Sequence, residues 1–278
     1  MKYIVSILIT AVLLVSVAPV AAEPVTREQS WTETYAVSTN TPHLKISNIW
    51  GGVRVRPGAG NEIIVSISES RSAPDQALFE LSLERIPLNI ESDRNGVSMI
   101  VGDREERWHR VDPCRGCRVD YQFEVVVPAN AIIDVGTVMD GRVDVSGVTG
   151  VVSASNVNGT VSVEQIENCD KVSSVNGRIR IQFDVAPQQD CEIETVNGDI
   201  TLNVPDDTSL DITADLFNGE IKSDFPVDPL SYPATVEHLE EDGRSIYRIH
   251  KLSGVRIGAG GPTYSVASIN GDFRIRRN

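Results

Sequence analysis

Apolar and polar residues alternate one for one through most of the chain. VSVE (161–164), IRIQF (179–183) and ITLNV (200–204) are typical. Such alternation marks a β-strand with one buried face, because successive side chains point to opposite sides of a pleated chain. The 3.6-residue period of an amphipathic helix is almost absent, and only APDQALFE (73–80) has room for a turn or two. The pattern predicts an all-β protein.

The alternating runs are also repeats. An apolar residue, then Asn or a substitute, then Gly precedes each run: Met139-Asp140-Gly141, Val157-Asn158-Gly159, Val175-Asn176-Gly177, Val196-Asn197-Gly198, Phe217-Asn218-Gly219 and Ile269-Asn270-Gly271, with Ile49-Trp50-Gly51 upstream. From Gly141 to Gly219 the steps are 18, 18, 21 and 21 residues, and 52 residues separate Gly219 from Gly271. The second residue after each Gly is apolar, and the fourth is apolar everywhere except Ser223.

Asn-Gly between alternating runs fits two arrangements. In a meander of two-residue hairpins, the residue before Asn shares a face with the residue after Gly. That would set Val157, Val175, Val196 and Phe217 beside Thr160, Arg178, Asp199 and Glu220, on the polar face. In the other arrangement Asn-Gly is a corner, and the apolar residue before it faces the interior together with the strand that follows. Copies then stack as parallel rungs about 4.8 Å apart, forming a β-solenoid. The second arrangement explains why the position before the turn is apolar in all seven copies, and it is the expectation carried forward. It assigns structural turn roles to Gly51, Gly141, Gly159, Gly177, Gly198, Gly219 and Gly271, as suppliers of positive φ. Asn158, Asn176, Asn197, Asn218 and Asn270 then form a stacked, hydrogen-bonded column.

Around the array, residues 32–70, 77–101 and 118–127 read as further strands, and 226–261 as an insertion with a hairpin at Asp242-Gly243. The expected organisation is a leader (1–22), an irregular N-terminal β region (23–127) and the repeat region (128–278), with one continuous domain over 32–278 as the alternative to the last two. The leader has one Lys, an apolar run from Tyr3 to Val17, and small residues ending Val20-Ala21-Ala22. This is the form of a cleaved secretory signal peptide, too short to span a bilayer. The implied location is exported, either periplasmic or extracellular at the cell surface, with no transmembrane span after cleavage. A formal charge of −14 argues against nucleic acid as partner.

The φ-Asn-Gly-x-φ-x-φ copies, the lead-in YQFEVVVPANAIIDVGTVMDGRVDVSGVTG and the ending GAGGPTYSVASINGDFRIR resemble the DUF4097 family of exported, adhesin-like bacterial proteins, over roughly residues 40–278. The resemblance implies a right-handed, mostly parallel β-helix with a more irregular N-terminal β portion. It brings no catalytic signature. The cysteines, the 104–118 segment and the 226–261 insertion depart from the plain pattern.

Four Cys in an exported chain suggest disulfides. Cys169 stands eight residues before Gly177 and Cys191 seven before Gly198, which brings them nearly into register on adjacent rungs and predicts a Cys169–Cys191 bond across a one-residue bulge. Cys114-Arg115-Gly116-Cys117 reads as a local Cys114–Cys117 disulfide, with a redox pair and a metal knuckle (His109 nearby) as the other readings. His43, His109, His238 and His250 are scattered, and neither a nucleophile elbow nor a phosphate loop is present, so no catalytic residue, metal ligand set or cofactor is expected.

Two surface features remain. Arg104, Arg107, Arg110, Arg115 and Arg118 cluster with Trp108, as either a contact for an anionic glycan or a solvated basic loop. Arg142, Thr160, Arg178, Asp199, Glu220 and Asp272 follow the corner glycines and form an outward column of mixed sign. Within it, Asp199 and Glu220 on neighbouring rungs are the only pair resembling the carboxylates of polysaccharide-acting β-helix enzymes. The functional expectation is a non-enzymatic envelope or secreted interaction protein, adhesin-like, whose partner is an envelope component, a glycan or a protein. A polysaccharide lyase or hydrolase is the alternative.

Overall fold

The computed structural model describes residues 24–102, 114–231, 235–241, 244–250 and 253–278. The leader, Arg104, Arg107, Trp108, His109, Arg110 and the Asp242-Gly243 turn lie outside the described residues.

The strands form two large sheets that share one hydrophobic core, plus a two-stranded ribbon. Sheet 1 has ten strands, in the spatial order Val25–Ala36, Glu62–Ala73, Arg118–Pro128, Val53–Gly58, Val143–Ser146, Val161–Ile166, Ile179–Phe183, Ile200–Val204, Phe273–Arg277 and Ile221–Ser223. Sheet 2 has eleven: Val227–Ser231, Ser253–Ile257, Leu210–Asn218, Thr263–Asn270, Cys191–Asn197, Asn168–Asn176, Val151–Asn158, Ile132–Thr137, His43–Ser47, Gly96–Val101 and Leu88–Asp93.

The all-β class holds, but the single right-handed parallel solenoid does not. Both sheets are mixed. Val25–Ala36, Glu62–Ala73 and Arg118–Pro128 run antiparallel to one another at one end of sheet 1. Sheet 2 is antiparallel at both ends, where Ser253–Ile257 pairs with Leu210–Asn218 and Val227–Ser231, and Leu88–Asp93 pairs with Gly96–Val101. The last case shows the physical reason: Arg94-Asn95 is too short a link for anything but an antiparallel return. In the 226–261 insertion, Thr235–Glu241 pairs antiparallel with Arg244–His250, as the expected hairpin requires.

The repeats occupy the middle of sheet 2 and one end of sheet 1, and there the pairing is parallel and in register. Val143, Val161, Ile179, Ile200, Phe273 and Ile221 lie in one line across sheet 1. The spatial order is not the chain order, however. The final copy, 263–277, sits between 191–204 and 210–223 in both sheets, pairing with each.

The corner glycines are required by crowding more than by φ. A Cβ at Gly177 would lie 1.9 Å from the carbonyl oxygen of Gly159, and one at Gly198 would lie 1.9 Å from that of Gly177. The column continues from Gly51 through Gly141 and Gly159 at one end, and through Gly271 to Gly219 at the other. Positive φ is found at Gly51 (+98°), Gly159 (+156°), Gly198 (+155°) and Gly271 (+157°), but not at Gly141, Gly177 and Gly219. The Asn column forms as expected. Asn176 donates to Asn158 (2.9 Å), Asn197 to Asn176 (2.8 Å), Asn270 to Asn197 (2.8 Å) and Asn218 to Asn270 (2.9 Å).

Among the described residues there is one helix, Gln76–Arg85, which starts within the 73–80 stretch that had room for a turn or two and runs on into residues that alternation had placed among the strands. Asp75 caps its start by accepting from the Leu78 amide at 2.8 Å. At its other end the fully buried Arg71 donates to the carbonyls of Ser82 and Ile86 and to the Glu69 carboxylate, Nε to Oε1 at 2.6 Å. The guanidinium thus satisfies the Ile86 carbonyl at the helix C-cap and adds a second donor to the Ser82 carbonyl, which already accepts from the Ile86 amide at 3.0 Å. Burial pushes the Tyr121 phenol, which accepts from Arg71 at 3.2 Å, up to about 12.

Candidate functional site: the outer face of sheet 2

On strand Asn168–Asn176, Cys169, Val172 and Ser174 are buried, while Ser173 and Val175 face out. The same parity holds on its neighbours: Ala154 and Asn156 are inside and Val157 faces out; Ile193 and Thr195 are inside and Val196 faces out. The residue before each Asn-Gly therefore does not enter the core, contrary to the expectation from the repeats. Exposure is 38% at Val175, 48% at Ile269 and 79% at Phe217. In sheet order Val157, Val175, Val196, Ile269 and Phe217 form one outward row. Register adds Val138 to this row rather than Met139, because the Asn158 amide donates to the Val138 carbonyl at 2.9 Å. The spare residue is absorbed at Asp140, which has φ +55°.

Inside this row, one step from the corner, the core is polar. Asn48 Nδ2 donates to the carbonyl of Tyr121 (2.8 Å), Thr137 Oγ1 to Gly51 (2.8 Å), Asn156 Nδ2 to Gly141 (2.9 Å) and Ser174 Oγ to Gly159 (3.2 Å). The last three tether their rungs to the carbonyl of the neighbouring corner, and Asn48 reaches the strand Arg118–Pro128. Thr195 and Ser268 occupy the equivalent places, but their hydroxyls have no partner among the described residues.

Two residues before the apolar row stand Gly136, Ser155, Ser173 and Ala267, all small, with Glu194 and Asp215. Small side chains beside large ones leave a trough. Its volume is about 850 Å³, and it is lined from Ser47 and Asn48 at one end to Phe217 at the other. It crosses seven strands, about 29 Å at the usual strand spacing. One wall is the apolar row; the floor is backbone and small hydroxyls.

The cysteine expectations are met. Cys169 is bonded to Cys191 with Cα atoms 5.5 Å apart, and Cys114 to Cys117. The anticipated bulge is present: Cys169 pairs with Val152 and Lys171 with Ser153, leaving Asp170 over. Of the proposed basic patch, Arg115 and Arg118 are described and exposed, and Arg118 pairs with Asp140 at 3.2 Å.

The carboxylate pair is not assembled. Asp272 lies between Asp199 and Glu220 in the register of sheet 1. Asp199 accepts from Arg274 Nη1 at 2.7 Å, and this bond holds its carboxyl below the usual range. A general acid needs the opposite shift.

No protein-family model matches the chain, and no curated protein matches it. Solved structures similar to it include a candidate cell adhesion protein from Clostridium sporogenes ATCC 15579, at 10% identity, covering 90% of this chain and 100% of that one with a TM-score of 0.44. Another is a candidate adhesin from Bacteroides fragilis NCTC 9343, at 13% identity over 90% of this chain and 97% of that one, TM-score 0.39. A third, a candidate adhesin from Parabacteroides distasonis ATCC 8503, has 12% identity over 90% and 97%, TM-score 0.22. Likeness at this level carries no function across, and the DUF4097 resemblance rests on the repeats alone. Among the described residues no helix is long and apolar enough to cross a membrane.

Proposed function

We propose that the protein is an exported, non-enzymatic interaction protein of adhesin-like type, and that the trough on sheet 2 receives an extended, apolar segment of a partner protein. One observation carries this reading. The position before the turn is apolar in every copy, and although Ile49 is buried, Val157, Val175, Val196, Ile269 and Phe217 point away from the core. Folding gains little from a half-exposed Val and nothing from a Phe that is 79% exposed. A row of such residues along a trough is the form of a contact surface. Its length and narrowness suit a linear segment rather than a globular face. Two disulfides are in keeping with an oxidising, extracytoplasmic compartment.

The test is selection from a displayed random-peptide library on the purified protein, followed by titration of the selected peptides. Val175→Asp and Phe217→Asp should abolish binding while leaving the melting temperature unchanged. Peptides that bind both variants as well as the parent would sink the proposal.

A further inference from the structure

The outer face of sheet 1 has a different character. Strands Val143–Ser146, Val161–Ile166, Ile179–Phe183, Ile200–Val204 and Phe273–Arg277 bury one set of alternate residues and present the other outward. The outward set encloses a cleft of about 430 Å³ lined by Arg142, Arg178, Arg180, Arg274 and Arg276, against two carboxylates, Glu164 and Asp199. Both carboxylates are already engaged: Glu164 accepts from the Ser162 hydroxyl at 2.7 Å and Asp199 from Arg274 at 2.7 Å. Arg142 is 3.9 Å from Asp144. Arg178, Arg180 and Arg276 make no ion pair with any described residue. In a chain of net charge −14, carboxylates are plentiful, and three neighbouring arginines left without one are a concentration of charge that the fold does not neutralise.

We propose that this cleft binds an acidic linear polysaccharide through its carboxylates. The register supplies the spacing. Arg180 and Arg274 are separated by Thr201 on the strand between them, and Arg142 and Arg178 by Thr160. Each pair therefore spans two strand spacings, about 9.6 Å, about the length of one disaccharide along an extended chain, so that alternate carboxylates of a polyuronate meet a guanidinium. Guanidinium groups hold carboxylates through paired N–H donors. The intervening Thr160 and Thr201 hydroxyls face the sugar between two such carboxylates. This site lies on the other sheet from the apolar trough and is independent of it.

The experiment titrates the purified protein with alginate, with neutral dextran and with single-stranded DNA. Alginate is expected to bind, more weakly as salt rises, and dextran and DNA are not. Arg180→Ser with Arg276→Ser should weaken alginate binding by at least about tenfold. Arg56→Ser with Arg94→Ser removes the same charge from exposed positions outside the cleft and should leave binding within about twofold, as should Val175→Asp. All three variants change exposed residues, and an unchanged melting temperature confirms that they fold. Equal weakening by both double variants, equal binding of dextran or DNA, or no binding of alginate each overturns the proposal.

Discussion

Asn270 donates its side-chain amide to Asn197 at 2.8 Å, although 73 residues separate them in the chain. The contact joins the seventh copy of the repeat to the fifth, and Asn218 then donates to Asn270 on the far side. An interior member of this column such as Asn197 makes two such bonds, while Asn158 at the end only accepts one. Asn197→Ala is therefore expected to destabilise by about 1–3 kcal/mol and Asn158→Ala by about half as much. Urea unfolding of the two variants checks the ratio; equal losses would show that the column contributes little.

The glycine column is less forgiving. A methyl group at position 177 collides with a backbone oxygen, and backbone cannot rotate aside as a side chain does. Gly177→Ala should cost about 3 kcal/mol or more. Gly60→Ala meets nothing within 4 Å, but its φ of +100° still strains it, by about 1–2 kcal/mol. Thermal melts of the two separate steric from conformational cost.

Val172 and Val175 are three residues apart on one strand and should respond oppositely to truncation. Val172, wholly buried, is expected to lose roughly 2 kcal/mol as Ala. Val175→Ala should stay within about 0.5 kcal/mol. A large loss at Val175 would mean that the outward row supports the fold rather than a partner.

The Cys169–Cys191 bond closes a loop of 22 residues, so its loss should cost roughly 3 kcal/mol. Cys114 and Cys117 are only three positions apart, and removing their bond should cost less. Paired Cys→Ser variants, melted under oxidising conditions, measure both.

Acid should loosen the end of sheet 1. Hydrogen bonding from Arg274 holds the Asp199 carboxyl below its usual range, and hydrogen bonding from Lys222 does the same for Asp272. A carboxyl whose pKa is lower in the folded state protonates first in the unfolded state. Its contribution is complete above the unfolded value of about 3.9 and is lost as pH falls through the folded value. Melting temperature should be level near neutrality and fall below about pH 4. Arg274→Met should flatten that fall, and an unchanged slope would assign the acid response elsewhere.

Much of this was readable in the residues. Alternation placed Val161, Ile179, Ile200 and Phe273 in the core, and all four are buried. Cysteine offsets gave the correct partners and the bulge. The outward row was misplaced although its signal was present: Val172 and Val175, like Ile193 and Val196, are three apart, and in an unbroken strand both cannot face inward. Apolar character at every corner outweighed that parity, and the polar Asn156, Ser174, Thr195 and Ser268 one step earlier were not recognised as the inward residues. The arginine cleft was less legible. Arg180 and Arg274 are 94 residues apart in chain number, and only the insertion of the last copy between two earlier ones brings their strands within two spacings.

That insertion also governs the order in which the molecule can be completed. The segment 210–223 leaves the ribosome, or a translocation pore, well before the strands that join it to the rest of both sheets. Ser253–Ile257 pairs with it on one side, but the strands that connect it to 191–204 arrive only with 263–277, so the stack cannot close from one end to the other as the chain emerges. Deleting that stretch would leave a gap inside both sheets and cut 210–223 off from 191–204, where a simple end-to-end stack would merely be shortened.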